Sequence, residues 1–455
     1  MSIRLRSLAA LAVLAGGVII AIGECVYTSN QIQIPNFTPN GGLPHWRKCR
    51  AKVIANTGNC TVLVIGESTP RGWGAMFAGT EYDAASGAWP AQVALQLRQM
   101  CDGVTVQCIN ARANSVAGSG NVGAITAFTS YDTRVVSAGT WTINGAGSCY
   151  TFGNLVPGGC SFSSTDTTSP FQFNPRNTIT YPSAPIVPTN TLDVYSTNVN
   201  LGGEHGVLLV NVNGGSTLAG IAQNAAGATT YTKTTVSTGS VAADSTWNLK
   251  CSVANVCLFD GIVARNSAVS EASFINMGMG GATVENWNIS GAVYNPLSAI
   301  RNVYKPDLCV VQDQGNDQDA GTVIATYKTD YIAIITACQA SGDVLIVTSQ
   351  PGQAGAVCAG CTGGFIPTYD VQQTYVLAQQ QVAASTGVPL LDWWTTMCGT
   401  VVGTGVNSTC SKGGWSVGLA NGWNGSFNTV AQDPVHQGPY AYGPLASQVA
   451  AILRQ

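Results

Sequence analysis

Residues 61–68 read TVLVIGES, a short apolar run followed by a glycine and two polar residues. An apolar run without polar alternation is typical of a strand that is buried on both faces of a parallel sheet. Similar runs follow later in the chain, so we predict further buried strands at 272–276, 308–312, 344–348 and 388–392. A further strand candidate lies at 104–109.

Segments with apolar residues at helical spacing lie between these strands. The spacing predicts helices at about 88–100, 320–340, 368–386 and 442–454. Alternating strands and helices favour an α/β fold with a doubly wound parallel sheet.

The region 112–268 has a different character. It is rich in Thr, Ser, Gly and Asn, its apolar residues alternate with polar ones, and Pro and Gly interrupt it at short intervals. Many short strands with turn signals predict a β-sandwich or jelly roll. We therefore expect an α/β domain in two parts, 61–111 and 269–455, with a β-rich domain inserted at 112–268, after an N-terminal extension at 24–60 that lacks periodicity.

Length and composition agree with a large globular protein. The chain has 455 residues, of which 53 are Gly and only 9% are charged, and its net charge is −3. At roughly 150 residues per domain, two to three domains are expected. The charge argues against a non-specific nucleic-acid binder and against a charge-rich disordered chain.

The N-terminus has the pattern of a secretory signal peptide at 1–23. Arg4 and Arg6 precede an apolar run at 8–22, and small residues at Ala21 and Gly23 fit a cleavage site. The alternative is an uncleaved membrane anchor, for which the run is short. We predict a secreted, extracellular or periplasmic protein without a membrane span in the mature chain.

The cysteines support an oxidising compartment. Most of the 15 lie in close pairs, which predicts disulfides that close short loops. The expected pairs are Cys49 with Cys60, Cys101 with Cys108, Cys149 with Cys160, Cys251 with Cys257, Cys358 with Cys361, and Cys398 with Cys410. Cys309 and Cys338 form either a pair or two buried free thiols, and Cys25 has no partner in this scheme.

Several polar residues follow the predicted strands, at the sheet edge where α/β enzymes place their sites. Ser68 follows the first strand, Gly281 lies in a glycine-rich turn after the next, and Asn316 follows the third. Asp433 and His436 precede the last helix. These are a nucleophile, two oxyanion donors and a carboxylate–imidazole pair, the groups that serine-based acyl transfer requires.

These residues resemble the motifs of the SGNH (GDSL-like) hydrolase superfamily over about 61–110 and 270–455. The family has a G-D-S block, an oxyanion Gly, a G-x-N-D block and a D-x-x-H block, which match Ser68, Gly281, Asn316, and Asp433 with His436 in order. Glu67 replaces the family's Asp, and a glutamine at 314 stands where the third block's Gly is expected, with a glycine one place later. The resemblance implies a Ser-His-Asp triad and no cofactor or metal.

Other motifs have simpler readings. The GxGxxG match at 118–123 opens a β-rich region without a following helix, so we expect no dinucleotide site there. Trp393 and Trp394 either line a substrate cleft or pack in the core, and Asp317 is expected to orient the loop of the third block. His45 and His205 are expected to be ordinary surface or loop histidines.

The resemblance implies an esterase that hydrolyses an acyl ester, and the signal-peptide pattern implies that it is secreted. The insert resembles sandwiches of carbohydrate-binding type, which favours a short-chain, acetyl ester on a carbohydrate. A lipase or phospholipase and a glycan O-acetyltransferase would share the same triad. A non-catalytic surface-binding or phage-type protein is a further alternative, although a binder has no need of an oxyanion hole.

Overall fold

The computed structural model describes residues 42–71, 87–99, 108–113, 115–117, 132, 134–143, 161–175, 189–198, 206–222, 230–239, 246–289, 295–357, 364–415 and 439–455. The strands, numbered in chain order, are β1 (Cys60–Gly66), β2 (Ala111–Arg112), β3 (Ser115–Ala117), β4 (Val135–Ser137), β5 (Thr142–Ile143), β6 (Phe162–Ser164), β7 (Phe171–Phe173), β8 (Thr191–Asn198), β9 (Val207–Val212), β10 (Ala219–Ala222), β11 (Thr230–Ser237), β12 (Trp247–Cys251), β13 (Cys257–Phe259), β14 (Gly261–Arg265), β15 (Ala272–Asn276), β16 (Leu308–Gln312), β17 (Asp343–Val347), β18 (Leu390–Leu391), β19 (Val401–Val402) and β20 (Thr409–Cys410).

The α-helices, also numbered in chain order, are α1 (Pro44–Ile54), α2 (Ser68–Arg71), α3 (Trp89–Gln99), α4 (Val284–Trp287), α5 (Pro296–Ala299), α6 (Gly315–Ala320), α7 (Ile324–Gln339), α8 (Tyr369–Thr386), α9 (Trp393–Cys398) and α10 (Pro439–Arg454). A π-helical turn spans Ile300–Tyr304, and a 3₁₀ turn spans Gly405–Asn407.

A six-stranded parallel sheet forms the centre of the α/β part, in the order β18-β17-β16-β1-β15-β2. Its strands confirm the apolar runs as buried strands: β15 and β16 have the predicted bounds, and β17 begins one residue earlier than predicted. The strand predicted at 388–392 is shorter in the structure, where β18 has two residues. The candidate at 104–109 falls largely outside the described residues, and the described edge strand is β2, which pairs with the start of β15.

Helices cover both faces of this sheet. On one face, α7 and α8 contribute residues such as Tyr331 and Val382 to one apolar cluster. On the other face, α1, α3 and α10 contribute residues such as Trp46, Leu97 and Val449 to a second cluster. The structure confirms the predicted doubly wound α/β class.

Helix α1 lies in the segment 24–60, for which the sequence analysis predicts no periodic element. Leu43, Trp46, Cys49 and Val53 are buried along one face of it, at nearly helical spacing. The Trp46 indole donates to the Leu453 carbonyl at 2.8 Å, and the Trp46 backbone N–H donates to Asp343 at 2.8 Å. The apolar face is narrow and polar residues separate its members, so the signal is weak in the sequence alone.

The strands between β2 and β15 form sheets of their own. Five-, four- and three-stranded sheets are present among the described residues, with antiparallel pairs throughout. Their inward side chains share one apolar cluster, which includes Trp141, Phe171 and Trp247. This β-rich segment leaves the parallel sheet after β2 and returns at the neighbouring strand β15, as an insertion requires; the domain boundaries themselves stay a prediction.

Four disulfides join described cysteines. Three predicted pairs are confirmed, and the open question about Cys309 and Cys338 is resolved, since they are bonded to each other. Cys108 is disulfide-bonded as well. The other predicted cysteine positions lie outside the described residues: Cys25, Cys101, Cys149, Cys160, Cys358 and Cys361.

Candidate active site

Ser68 begins α2, directly beyond the carboxyl end of β1. The strand ends at Gly66, where a Cβ atom would collide with the backbone carbonyl of Gln312 in the neighbouring strand β16. Glycine therefore allows the two strand ends to approach closely before the chain turns. Ser68 itself is buried, with 5% of its surface exposed.

The turn that carries Ser68 is also bonded to segments at the ends of two other strands, β15 and β17. The Asn276 amide, at the end of β15, donates to the Pro70 carbonyl at 2.6 Å. The Gln350 amide, which follows β17, donates to the Thr69 hydroxyl at 3.3 Å. These bonds connect the turn to the ends of two other strands, so tertiary contacts fix the chain around Ser68.

Gly281 lies in the turn that follows β15. The backbone N–H of Met279 donates to the Gly66 carbonyl at 2.8 Å, so this segment stays beside the end of β1. The N–H of Ala282 then bonds back to the Met279 carbonyl at 3.2 Å and closes the turn. Gly281 has φ +78°, a left-handed conformation that glycine adopts without strain, and it is exposed.

Asn316 lies in the first turn of α6, after β16. Its side-chain amide donates to the Ala282 carbonyl at 2.9 Å, next to Gly281. Its backbone N–H donates to the Glu67 carboxylate at 2.8 Å, next to Ser68. The three predicted residues Ser68, Gly281 and Asn316 are therefore on segments that hydrogen bonds join at one edge of the sheet.

Buried carboxyl groups lie behind this edge. Burial raises the pKa of Asp317 to about 7, although the Val284 N–H donates to its carboxylate at 2.9 Å. Burial also raises the pKa of Asp313 well above its usual range, and the neighbouring charges of Asp317 and Glu67 raise it further. Burial, and then the Glu67 charge, raise the pKa of Asp319 to about 7.

Two of these carboxyl groups, those of Asp317 and Asp313, accept hydrogen bonds from α4. Asp317 accepts the backbone N–H of Val284 and so holds the start of α4; its expected role in orienting the loop of the third block stays a prediction. Asp313 accepts a bond from the Trp287 indole at 3.1 Å. Both contacts fix the short helix that follows the Gly281 turn.

The two remaining predicted site residues, Asp433 and His436, lie outside the described residues. The same holds for His205 and for the GxGxxG match at 118–123. Their predicted roles, or lack of one, stay predictions.

Other candidates have structural positions. Trp393 and Trp394 are buried, with 1% and 0% of their surface exposed, so they pack in the core. His45 is exposed on α1. One group in the described residues has metal-ligand spacing, Cys49, Cys60 and Asp307, but its two sulfurs form a disulfide and offer no thiolate.

The residues that support the turn around Ser68 are not apparent from the sequence. Asn276, Ser349 and Gln350 lie at the ends of β15 and β17, the same sheet edge as the predicted residues. Their position at the carboxyl ends of strands is therefore a signal in the sequence. Only the contacts in the structure show which of the polar residues at these ends bond to the turn that carries Ser68.

No protein-family model and no curated protein sequence matches the chain. Among solved structures, a peptidoglycan O-acetylesterase is similar, with a TM-score of 0.58 and 16% identity, over 90% of this chain and 95% of that chain. A GDSL-like lipase from Bacteroides thetaiotaomicron aligns over 39% of this chain and 75% of its own, with a TM-score of 0.27 and 16% identity.

In the part of the chain that the structure describes, no helix is both long and apolar enough to cross a membrane. The likeness to the O-acetylesterase extends over nearly the whole of both chains, so it includes more than the parallel sheet. The chain therefore has the same overall fold as that peptidoglycan O-acetylesterase.

Proposed function

We propose that this chain is a carboxylic ester hydrolase in which Ser68 is the nucleophile. The observation that carries the proposal is the hydrogen-bonded connection of three segments at one sheet edge. Asn316 bonds to the Gly281 turn through Ala282 and to the Ser68 turn through Glu67. A nucleophile and oxyanion donors on adjoining segments are what acyl transfer requires.

In the proposed mechanism, Ser68 attacks the ester carbonyl while His436 removes the hydroxyl proton. Asp433 orients His436 and stabilises the imidazolium that forms. His436 then protonates the departing alcohol, which leaves an acyl group on Ser68. Water, activated by the same imidazole, hydrolyses this acyl-enzyme and restores Ser68.

The oxyanion is bound by the backbone N–H groups of Ser68 and Gly281 and by the Asn316 amide. An asparagine amide nitrogen carries two hydrogens. The Ala282 carbonyl accepts one of them, and we assign the other to the substrate oxygen. The bond to Ala282 thus fixes the donor before the substrate arrives, as electrostatic preorganisation requires.

The proposed substrate is a short-chain acyl ester, an acetyl group on a carbohydrate. Support comes from the structural likeness to a peptidoglycan O-acetylesterase over 90% of this chain. The antiparallel sheets of the β-rich segment agree with the sandwich of carbohydrate-binding type that we expect there from the sequence. A secreted or periplasmic location agrees with the signal-peptide pattern and with the four described disulfides.

The test is hydrolysis of p-nitrophenyl acetate, butyrate and palmitate, and of O-acetylated peptidoglycan, by the purified protein. Ser68→Ala is the inactive variant, and Ser216→Ala, at an exposed turn, is the matched control. We expect acetate turnover that Ser68→Ala abolishes and Ser216→Ala leaves unchanged. Palmitate preference would favour a lipase, and acetyl transfer to a sugar faster than hydrolysis would favour a transferase.

A fluorophosphonate probe tests the activated serine without a known substrate. We expect labelling of Ser68, located by peptide mass spectrometry, and its loss in His436→Ala. The absence of both labelling and Ser68-dependent turnover would overturn the proposal in favour of a binding protein.

A further inference from the structure

Glu67 connects the turn that carries Ser68 to the ends of two other strands. One carboxylate oxygen accepts the backbone N–H of Asn316 at 2.8 Å, after β16. The other accepts the Ser349 hydroxyl at 3.0 Å, after β17. Glu67 is only 3% exposed, so water competes little for these bonds.

Gly315 leaves the space that this carboxylate occupies. A Cβ atom at position 315 would lie 2.8 Å from each of the two Glu67 oxygens, closer than real Cβ contacts permit. Gln314, by contrast, has φ −159°, outside the left-handed region that favours glycine. Position 315, and not 314, is where this loop needs a glycine.

These two observations explain both departures from the family motifs at once. A glutamate is longer than the aspartate of the family pattern by one methylene, and its carboxylate reaches over the backbone of the third block. The glycine is at position 315 and not at 314, because the Glu67 carboxylate packs against the backbone of residue 315. The glutamate and the shifted glycine form a matched pair.

We propose that Glu67 is a positioning residue that acts through Asn316, with Gly315 as the position that admits it. The inference rests on the proposed function, because it concerns the oxyanion donor of that reaction. Glu67 holds the Asn316 backbone from one side while Ala282 holds the amide from the other. A displacement of about 1 Å at such a donor can lower the rate roughly 100-fold.

The decisive variant is Glu67→Asp. Removing one methylene withdraws the carboxylate by about 1.5 Å, so bonds of 2.8 and 3.0 Å become contacts of about 4 Å, beyond hydrogen-bond reach. We expect kcat for p-nitrophenyl acetate to fall about 10- to 100-fold with KM nearly unchanged. Glu67→Gln keeps an acceptor for the Asn316 N–H and a hydrogen-bond partner for Ser349. The kcat of this variant should therefore stay within about threefold of that of the unsubstituted protein.

The same substitution in an Asn316→Ala background separates positioning from a general structural role. If Glu67 acts through Asn316, Glu67→Asp should lower kcat by less than about threefold there. Gly315→Ala tests the same positioning independently, because its methyl group displaces the Glu67 carboxylate. In the Asn316→Ala background this substitution should also leave kcat nearly unchanged. Glu285→Asp, which shortens an exposed glutamate, is the matched control and should leave kcat unchanged.

Melting temperatures confirm that each variant is folded before kcat is compared. The inference is overturned if folded Glu67→Asp retains kcat within about threefold of the unsubstituted protein, or if its loss is equally large in the Asn316→Ala background. If Glu67→Asp does not fold, Gly315→Ala decides by the same criteria. Absence of Ser68-dependent turnover in the unsubstituted protein would instead overturn the proposed function, and the inference with it.

Discussion

Asp260 is a buried carboxyl group whose removal should change how stability depends on pH. It lies between β13 and β14 with no exposed surface, and burial raises its pKa to about 7 although the Thr197 hydroxyl donates to it at 2.7 Å. Its Oδ1 atom has no hydrogen-bond partner among the described residues. In the unfolded chain the same carboxyl group has a pKa of about 3.9.

The sign and size of the effect follow from this difference. Because the folded-state pKa is raised, the native protein binds the proton more tightly, so stability is greatest below about pH 4 and falls as the pH rises to about 7. The full difference corresponds to about 4 kcal/mol. Asp260→Asn keeps the shape and the acceptor for Thr197 but cannot ionise, so this pH-dependent loss should disappear.

Calorimetry of both proteins between pH 4.5 and 8 tests the prediction, since groups common to the two cancel in the difference. We expect similar melting temperatures at pH 4.5 and a higher one for Asp260→Asn at pH 8. About 3 of the 4 kcal/mol fall between pH 4.5 and pH 8, which for a cooperative unit of 150–250 residues is on the order of 10 °C. A difference that is constant over this pH range would refute the reasoning.

Three further substitutions test the site and its surroundings. Asn316→Ala removes the amide assigned to the oxyanion, so kcat should fall roughly 100- to 1,000-fold, and an unchanged kcat would contradict the assignment. Gly66→Ala puts a Cβ atom against the Gln312 carbonyl, so the free energy of unfolding should fall by more than about 4 kcal/mol and little folded, soluble protein should be obtained. A normal melting temperature would argue against this close approach. Tyr231→Phe removes a hydroxyl that bonds to the Tyr304 hydroxyl at 2.6 Å, and should lower the free energy of unfolding by about 1 kcal/mol; in a Tyr304→Phe background the additional loss should vanish.

The parallel strands were predictable because their sequence signal is local. The run at 308–312 is buried on both faces of the sheet, so every residue in it is apolar or lies at its end, and the structure has the same bounds. Helix α1 was not predictable in this way, because its apolar face is narrow. That face is buried only when α10 and β17 pack against the helix, where they also bond to Trp46. The edge strand β2 has two residues and depends on its partner β15.

The residues at the strand ends could be predicted from the sequence alone, because the alternation of strands and helices brings the carboxyl ends of parallel strands to one edge of the sheet. The three close cysteine pairs that the structure describes could also be predicted from the sequence, since short loops limit the partners. The tertiary structure decided the pairing of Cys309 with Cys338, which requires helix α7 to pack on β16. It also decided that Glu67 bonds to Asn316 and needs a glycine at 315, because residues so distant in the chain meet only when the strands are in register.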